Sequence, residues 1–258
     1  MKFIFLVLAL LVTSSGYSQN HIWLIGTVHQ EKNYINTDSL TAALSRIKPD
    51  LILMELEDKH FTKDFKFNTE KYPLEDFLVG IENIAIYKYQ QQYGTQLRPF
   101  DINGRHEFYQ KENYQERENK MFSEMLNIYK NNKLSESCKV DFEILLSALS
   151  SYSELHFSSL RESNSDVATK FLALKNKINF ELMLSIIKRT EGLKNWLNFA
   201  ELRMEYWNRR NRAMANNIIK YANEFKGKSI VVLVGNDHKY ALLELLKNHN
   251  LEVKNYYD

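Results

Sequence analysis

The sequence is poor in three residue types. Its 258 residues include one cysteine, three prolines and eight glycines. The single cysteine, Cys138, excludes an intrachain disulfide, so the fold depends on its hydrophobic core. Cys138 has no histidine near it in the sequence, which argues against a catalytic thiol. The scarcity of proline and glycine, which form turns, favours long helices over many short strands.

An excess of charge of one sign is also missing. The chain has 34 Lys and Arg and 32 Asp and Glu. Removal of residues 1–18 takes away one basic residue, Lys2, and leaves 33 basic residues against 32 acidic ones. This balance provides no electrostatic attraction for a nucleic acid, so nucleic acid is not predicted as a partner.

The N-terminus has the features of a secretory signal. Lys2 provides a positive charge, Phe3–Val12 form an apolar run, and Thr13–Ser18 are mostly small or polar. This run is much shorter than the roughly 20 residues that a helix needs to cross a bilayer. We therefore predict a signal peptide at residues 1–18 with cleavage before Gln19. The mature chain is then expected to have no transmembrane segment and to be secreted or periplasmic in a bacterial cell envelope.

The first part of the mature chain has the pattern of a strand–helix–strand unit. His21–Ile25 and Leu51–Met54 are short apolar runs typical of buried strands. Between them, Asn36 begins a segment with apolar residues at helical spacing. Connections of this kind imply parallel strands.

Farther along the chain the pattern becomes almost entirely helical. Residues 105–225 contain no proline and show little strand periodicity. We predict an α/β fold: a small, mostly parallel sheet flanked by helices, with a large all-helical insertion at about 105–225, in one domain of residues 19–258. The other predicted elements are helices over 73–93, 105–132, 139–152, 166–188, 193–224 and 239–248, and strands over 96–100, 228–234 and 251–256, the last at an edge.

Two stretches near opposite ends of the chain resemble each other. Residues 22–29 have the sequence IWLIGTVH and residues 231–238 have VVLVGNDH. Each is an apolar run that ends in Gly-x-x-His, and its glycine lets the chain turn sharply after the strand. Functional groups collect at the carboxyl ends of parallel strands, so His29 and His238 converge if their strands are neighbours. The remaining histidines are interpreted as surface residues (His60, His106, His156 and His249) or as structural (His21).

Carboxylates follow the other two strands. Glu55 ends the second strand and is expected one strand along from His29, and Asp101 follows the third strand. His29, His238 and Glu55 could bind a divalent metal such as Mn, Co or Zn, which would acidify water and polarise a carbonyl. Without a metal, a histidine or Glu55 could act as a general base at neutral pH. The residues alone leave both mechanisms open.

An arginine lies on the apolar face of a predicted helix. In the segment EYWNRRNRAMANNIIKYA, Arg210 shares a stripe with Met214 and Ile218. A buried arginine is costly unless it is paired or used. Arg210 could clamp a substrate carboxylate, stabilise an oxyanion, or form a structural ion pair with Glu55. Asn211 lies beside it and, with Asp101, is a candidate for substrate binding.

These pieces together resemble a known family. Gly26-Thr-Val-His29 after a first strand, a helix closed by Lys48-Pro-Asp, and an apolar strand ending in Glu55 resemble the N-terminal half of the TraB/PrgY/GumN family, which includes the TIKI proteins. The wider group contains erythromycin-esterase-like and ChaN-like proteins.

The C-terminal motifs of the family are matched as well. Arg210-Asn211-x-x-Met-Ala, an apolar strand and then Gly235-x-x-His238 resemble the closing motifs. The match covers roughly residues 21–57 and 207–256. The second motif carries Asn-Asp before the histidine, where small residues are usual.

The resemblance implies an α/β fold with a site built from His29, Glu55, Arg210 and His238. TIKI-type members are described as metal-dependent proteases, and erythromycin-esterase-like relatives as hydrolases with a histidine base. ChaN-like relatives bind haem. We therefore expect a hydrolase that cleaves a peptide or ester bond in a peptide or small-molecule substrate. The alternatives are a non-enzymatic protein that binds haem, a peptide or a metal in the same cleft, and a structural protein that acts through its helices.

Overall fold

A five-stranded parallel sheet forms the centre of the molecule. The computed structural model describes residues 20–249 and 251–257, so the predicted signal peptide lies outside the described part. The strands are β1 (His21–Thr27), β2 (Leu51–Met54), β3 (Gln96–Pro99), β4 (Ser229–Gly235) and β5 (Glu252–Lys254). Their order across the sheet is β3-β2-β4-β1-β5, and every neighbouring pair is parallel. The predicted α/β class is confirmed, and β5 lies at an edge as expected.

The strand β4 lies between β1 and β2. Thr27 of β1 is in register with Gly235, and Met54 of β2 is in register with Leu233. Glu55 is therefore two strands from β1, and the prediction that it lies one strand along from His29 is wrong. The physical reason is that β4 is apolar on both faces, so it takes the most buried position in the sheet.

Helices surround the sheet, and the helical region is large. The α-helices in the described residues are α1 (Thr37–Ile47), α2 (Leu74–Phe77), α3 (Ile81–Tyr93), α4 (Arg105–Lys111), α5 (Tyr114–Lys130), α6 (Glu136–Ser153), α7 (Leu160–Ser163), α8 (Asp166–Lys177), α9 (Met183–Arg189), α10 (Leu197–Glu224) and α11 (Asn236–Leu246). Short 3-10 helices cover Asp58–His60 and Glu191–Trp196, and a π-helical segment covers Ile178–Leu182. No helix within the described ranges is both long enough and apolar enough to cross a membrane.

Each face of the sheet packs against a different pair of helices. On one face, Ile25, Ile52 and Val231 pack with apolar residues of α1 and α3. On the other face, alternate strand residues pack against α10 and α11, including Ile218 and Leu242. Burial of each such side chain contributes about 1.5–3 kcal/mol relative to exposure. The sheet edge that carries the carboxyl ends of the strands is thereby held between helices.

The helices α5, α6 and α9 and the first part of α10 form a separate apolar cluster away from the sheet. Its buried residues include Met121, Phe142, Ile187 and Phe199, which belong to α5, α6, α9 and α10. This arrangement agrees with the predicted all-helical segment at about 105–225. The long helix α10 belongs to both clusters, because its C-terminal half covers the sheet.

Several helix boundaries differ from the predictions. The predicted helix over 73–93 is two helices separated at Gly80, which is extended. The predicted helix over 105–132 is interrupted at Asn113, which has a left-handed backbone with φ 45°. The helix α11 begins at Asn236 rather than at 239, because β4 leads directly into it without a loop. His238 consequently lies in the first turn of a helix.

Candidate functional site

Three side chains from distant parts of the chain meet around Gly235. This residue ends β4 and caps α11. A Cβ placed on it would lie 3.6 Å from Oε2 of Glu55, 3.8 Å from Nε2 of His29 and 3.9 Å from Cδ2 of His238. The glycine therefore leaves open the space between these three groups. The structure brings the two Gly-x-x-His histidines and Glu55 together.

Glu55 is held as a carboxylate by the groups around it. Its Oε2 accepts a hydrogen bond from the Gly235 N–H at 2.7 Å, and its Oε1 accepts one from Nη2 of Arg210. Burial acts to raise the pKa of Glu55, but Arg210, His238 and the Gly235 N–H outweigh it and lower the pKa to about 2. Glu55 is therefore ionised at neutral pH and is a weak base.

Arg210 is the centre of a buried polar network. Its Nε and Nη2 donate to the two carboxylate oxygens of Asp101 at 2.8 and 2.9 Å, and its Nη2 also donates to Glu55. Its Nη1 lies 2.8 Å from Nε2 of His238. The helical stripe placed Arg210 on the buried face of α10, and of the alternatives considered the structure shows the ion pair with Glu55. Each nitrogen of the guanidinium therefore has a protein partner.

His238 is buried and neutral. Because arginine only donates, Nε2 of His238 accepts from Arg210, and the ring proton is on Nδ1, which donates to Oδ1 of Asn211 at 2.8 Å. The indole of Trp207 stacks on the imidazole with ring centres 4.2 Å apart. Burial and the nearby Arg210 lower the pKa of His238 to about 4. His238 therefore orients the arginine and is poorly suited to accept a proton during catalysis.

His29 has the opposite environment. Its side chain is 74% exposed, and its Nδ1 lies 3.3 Å from Oε1 of Glu82. The contact with Glu82 raises the pKa of His29, although partial desolvation acts against it. Its Nε2 faces the open space at Gly235. The two histidines share a motif but differ in exposure and in the direction of their pKa shift. The reason is that a loop follows β1, whereas a packed helix follows β4.

Two charged residues at the site were missed by the sequence analysis. Arg105, in the first turn of α4, contacts Oδ2 of Asp101 at 2.9 Å and lies 3.8 Å from Oε1 of Glu55. Glu82 lies in the first turn of α3 and is buried. Glu82 lies at helical spacing from Ala85, Ile86 and Tyr89, and a charged residue on such a buried stripe is the signal that could have identified it, as it did for Arg210.

The two residues predicted to bind substrate lie inside the network. Asp101 is held by Arg210 and Arg105, and Asn211 is bonded to His238. Both are buried. Their hydrogen bonds orient other side chains of the site.

The remaining histidines lie outside this group. The interpretation as surface residues agrees with the exposure of His106, His156 and His249. His60 differs: it is half-buried, because its ring packs against Tyr72 and Phe77.

The predicted metal ligands do not fit a metal ion in this arrangement. Nε2 of His238 already accepts a hydrogen bond from Arg210, and its Nδ1 is protonated and bonded to Asn211. A cation at Nε2 would have to displace a guanidinium that is anchored on Asp101. In the part of the chain that the structure describes, no group of three or more His, Cys, Asp and Glu side chains is placed to hold a metal.

Comparison with known proteins does not identify the function of this site. Comparison of the chain with protein-family models, with curated proteins and with solved structures gives no match. Membership in the TraB/PrgY/GumN family therefore stays a prediction that rests on the sequence motifs. Any function for the chain has to be argued from the geometry itself.

Proposed function

We propose that this protein is a hydrolase that cleaves a peptide or ester bond with His29 as general base. The observation that carries the proposal is the position of His29: its imidazole is exposed, and Nε2 faces the open space beside Gly235 and Glu55. A general base must reach the substrate and be able to take up a proton. His29 is exposed and its contact with Glu82 favours proton uptake, whereas His238 is enclosed by Arg210 and Asn211.

The reaction would proceed by attack of water on a carbonyl in the space at Gly235. Nε2 of His29 removes a proton from the water as its oxygen bonds to the carbonyl carbon. The carbonyl oxygen becomes an oxyanion, and its proposed partner is the half-buried guanidinium of Arg105, which Asp101 holds near Glu55. The bond to the leaving group then breaks, and His29 returns its proton to the leaving oxygen or nitrogen.

The buried network supports this chemistry without taking part in proton transfer. Glu55 fixes the Gly235 N–H and the Arg210 guanidinium, and Asp101 holds both arginines. The charges of Glu55 and Asp101 balance those of Arg210 and Arg105. A preorganised arrangement of this kind stabilises developing charge with little reorganisation.

The test is a substrate panel with a matched pair of variants. Residues 19–258 are assayed on p-nitrophenyl esters of several acyl groups and on a fluorogenic peptide library. We expect His29→Gln to lower kcat/KM by about 100-fold or more, the size of a general-base contribution. The exposed His156 provides the control, because His156→Gln should leave the rate unchanged. Equal rates for His29→Gln and wild type, or no turnover across the panel, would remove the hydrolase proposal.

We also propose that the mature protein is secreted or periplasmic. The support is the N-terminal sequence, with Lys2, the apolar Phe3–Val12 and the small residues before Gln19. Expression of the full chain in a bacterium, followed by fractionation and mass measurement, tests this. A chain that begins at Gln19 in the periplasm is expected, and an uncleaved cytoplasmic chain contradicts the proposal.

Ligand binding is a second candidate function. A cavity of about 590 Å³ lies between α8, α10 and α11, and its wall includes Trp207, Asn211 and Tyr240. This volume is in the range of small-molecule sites. Trp207 and Asn211 also contact His238, so a ligand in this cavity would lie next to residues that hold His238. A Soret band on haem addition that is lost in Trp207→Ala would favour this function over hydrolysis.

A further inference from the structure

Glu82 is a buried carboxylate whose polar partners are His29 and Thr27. It occupies the first turn of α3, and its side chain is 11% exposed. Its Oε1 lies 3.3 Å from Nδ1 of His29 and accepts a hydrogen bond from Oγ1 of Thr27 at 2.8 Å. A buried carboxylate is unfavourable unless its partners compensate for lost hydration. The partners here are a histidine and a hydroxyl at the end of one strand.

The surroundings of Glu82 fix its position. Thr27 is buried and is in register with Gly235, so the hydroxyl that holds Glu82 belongs to the same sheet edge as the site. Gly80 lies on the other side: a Cβ placed there would be 3.0 Å from Oε2 of Glu82. The position of Glu82 in the first turn of a helix also favours a negative charge. The carboxylate is thus confined between a strand end and a glycine.

We propose that Glu82 is the positioning residue for His29, and that it fixes the proton of the neutral imidazole on Nδ1. A carboxylate can only accept at Nδ1, so that nitrogen must carry hydrogen and the lone pair is left on Nε2. Nε2 is the atom that faces Gly235 and Glu55. Glu82 therefore directs the basic lone pair of His29 into the space where a substrate would lie. The role of His29 as a base rests on the proposed function.

Other charged groups act on His29 from a greater distance. Glu55, after β2, favours the protonated ring, and Arg105, from α4, opposes it. Among the charged residues that the structure describes, Glu82 is the one whose carboxylate contacts a ring nitrogen of His29. Removal of the Glu82 charge should therefore change the position of the proton, whereas changes at Glu55 should not.

The experiment is a direct measurement of the His29 tautomer. We compare wild type, Glu82→Gln and Glu75→Gln by nitrogen-15 NMR of the imidazole above its pKa, with a chelator present. The His29→Gln spectrum assigns the signals. Glu75 is an exposed glutamate in the neighbouring helix α2, so its variant is a matched control for the same chemical change. Wild type and control should show Nδ1–H, and Glu82→Gln should shift His29 toward Nε2–H.

Kinetics and a second variant complete the test. In Glu82→Gln, kcat should fall at least about tenfold with little change in KM, because fewer molecules present the basic lone pair. Thr27→Val, which removes the hydroxyl that holds Glu82, should shift the tautomer partly in the same direction and serves if Glu82→Gln does not fold. Unchanged tautomers in both folded variants would overturn the role of Glu82. If no substrate is turned over, the hydrolase proposal fails, while the NMR result still decides the role of Glu82.

Discussion

Arg210 donates a hydrogen bond from Nη1 to Nε2 of His238, with 2.8 Å between the two nitrogens. A histidine nitrogen that accepts a hydrogen bond from arginine carries no proton. The proton of His238 is therefore on Nδ1, which donates a hydrogen bond to Asn211. The second Gly-x-x-His motif therefore supplies an orienting group. The first motif supplies the exposed histidine, so one short pattern serves two purposes in one site.

Substitution of the two histidines should separate stability from activity. His29→Gln should change the free energy of unfolding by less than about 0.5 kcal/mol, because the side chain is exposed. His238→Gln should destabilise the protein by about 2 kcal/mol, because it disturbs the buried partners Arg210 and Asn211. Urea unfolding followed by circular dichroism measures both. Equal destabilisation by the two variants would contradict the division of roles.

The protein should lose stability between pH 7 and pH 5. Folding lowers the pKa of His238 from 6.5 to about 4, so the unfolded chain binds more protons between these values and stability falls as pH falls through this window. The expected loss is about 2 kcal/mol. Glu55, with a pKa lowered from 4.5 to about 2, extends the loss to lower pH.

Urea unfolding at several pH values measures this dependence. The contribution of His29 to the pH dependence has the opposite sign, because its raised pKa adds stability at low pH. Its exposure makes this contribution small. The control is His238→Gln, which should be less stable at pH 7 and should lose less between pH 7 and pH 5. If the free energy of unfolding of the variant changed with pH as steeply as that of wild type, His238 would not be the cause of the pH dependence.

The two motif glycines should respond differently to alanine. At Gly26, a Cβ would lie 2.2 Å from Oδ1 of the buried Asn236, so Gly26→Ala should destabilise the protein by about 1–3 kcal/mol. At Gly235, the contacts of 3.6–3.9 Å are ordinary and the backbone, with φ −52°, accepts any residue. Gly235→Ala should therefore fold normally but lose activity, because its methyl fills the space beside His29.

Thermal unfolding and the ester assay test the glycine pair together. A stable Gly26→Ala variant would show that Asn236 moves readily. A fully active Gly235→Ala variant would show that the reaction takes place elsewhere on the surface.

We expect hydrolysis not to depend on a divalent metal. The reason is that Arg210 occupies the histidine nitrogen that the predicted ligand set requires. Residues 19–258, prepared without a metal-binding tag, should hold no stoichiometric Mn, Co or Zn by elemental mass spectrometry, and EDTA should not change the rate. Stoichiometric metal that is lost in a His29→Ala/His238→Ala double variant would reverse this expectation and restore the metal-dependent mechanism.

The sequence was a good guide to the ends of the strands. Strand positions follow from short apolar runs, and the glycines of the repeated motif marked where β1 and β4 end. The side of α10 that is buried followed from helical periodicity, which placed Arg210 inside. The order of the strands did not follow, because pairing depends on burial of the whole sheet. The insertion of β4 between β1 and β2 therefore had to come from the structure.

The positions of Glu82 and Arg105 at the site also could not be predicted from the sequence. Glu82 and Arg105 lie 53 and 76 positions after His29 in the numbering, and no local pattern links them to it. They reach the site because α3 packs on the sheet and α4 follows β3 at the same edge. Only packing brings such residues into contact.

The sequence by itself determined that two histidines and a glutamate follow strands of one parallel sheet, because periodicity and glycine placement are local properties of the chain. Only the tertiary structure decided what each histidine does. The protonation of an imidazole depends on burial and on neighbouring charges, and these come from distant parts of the chain. Glu82 beside His29 leaves an exposed imidazole, whereas Arg210 and Asn211 enclose His238.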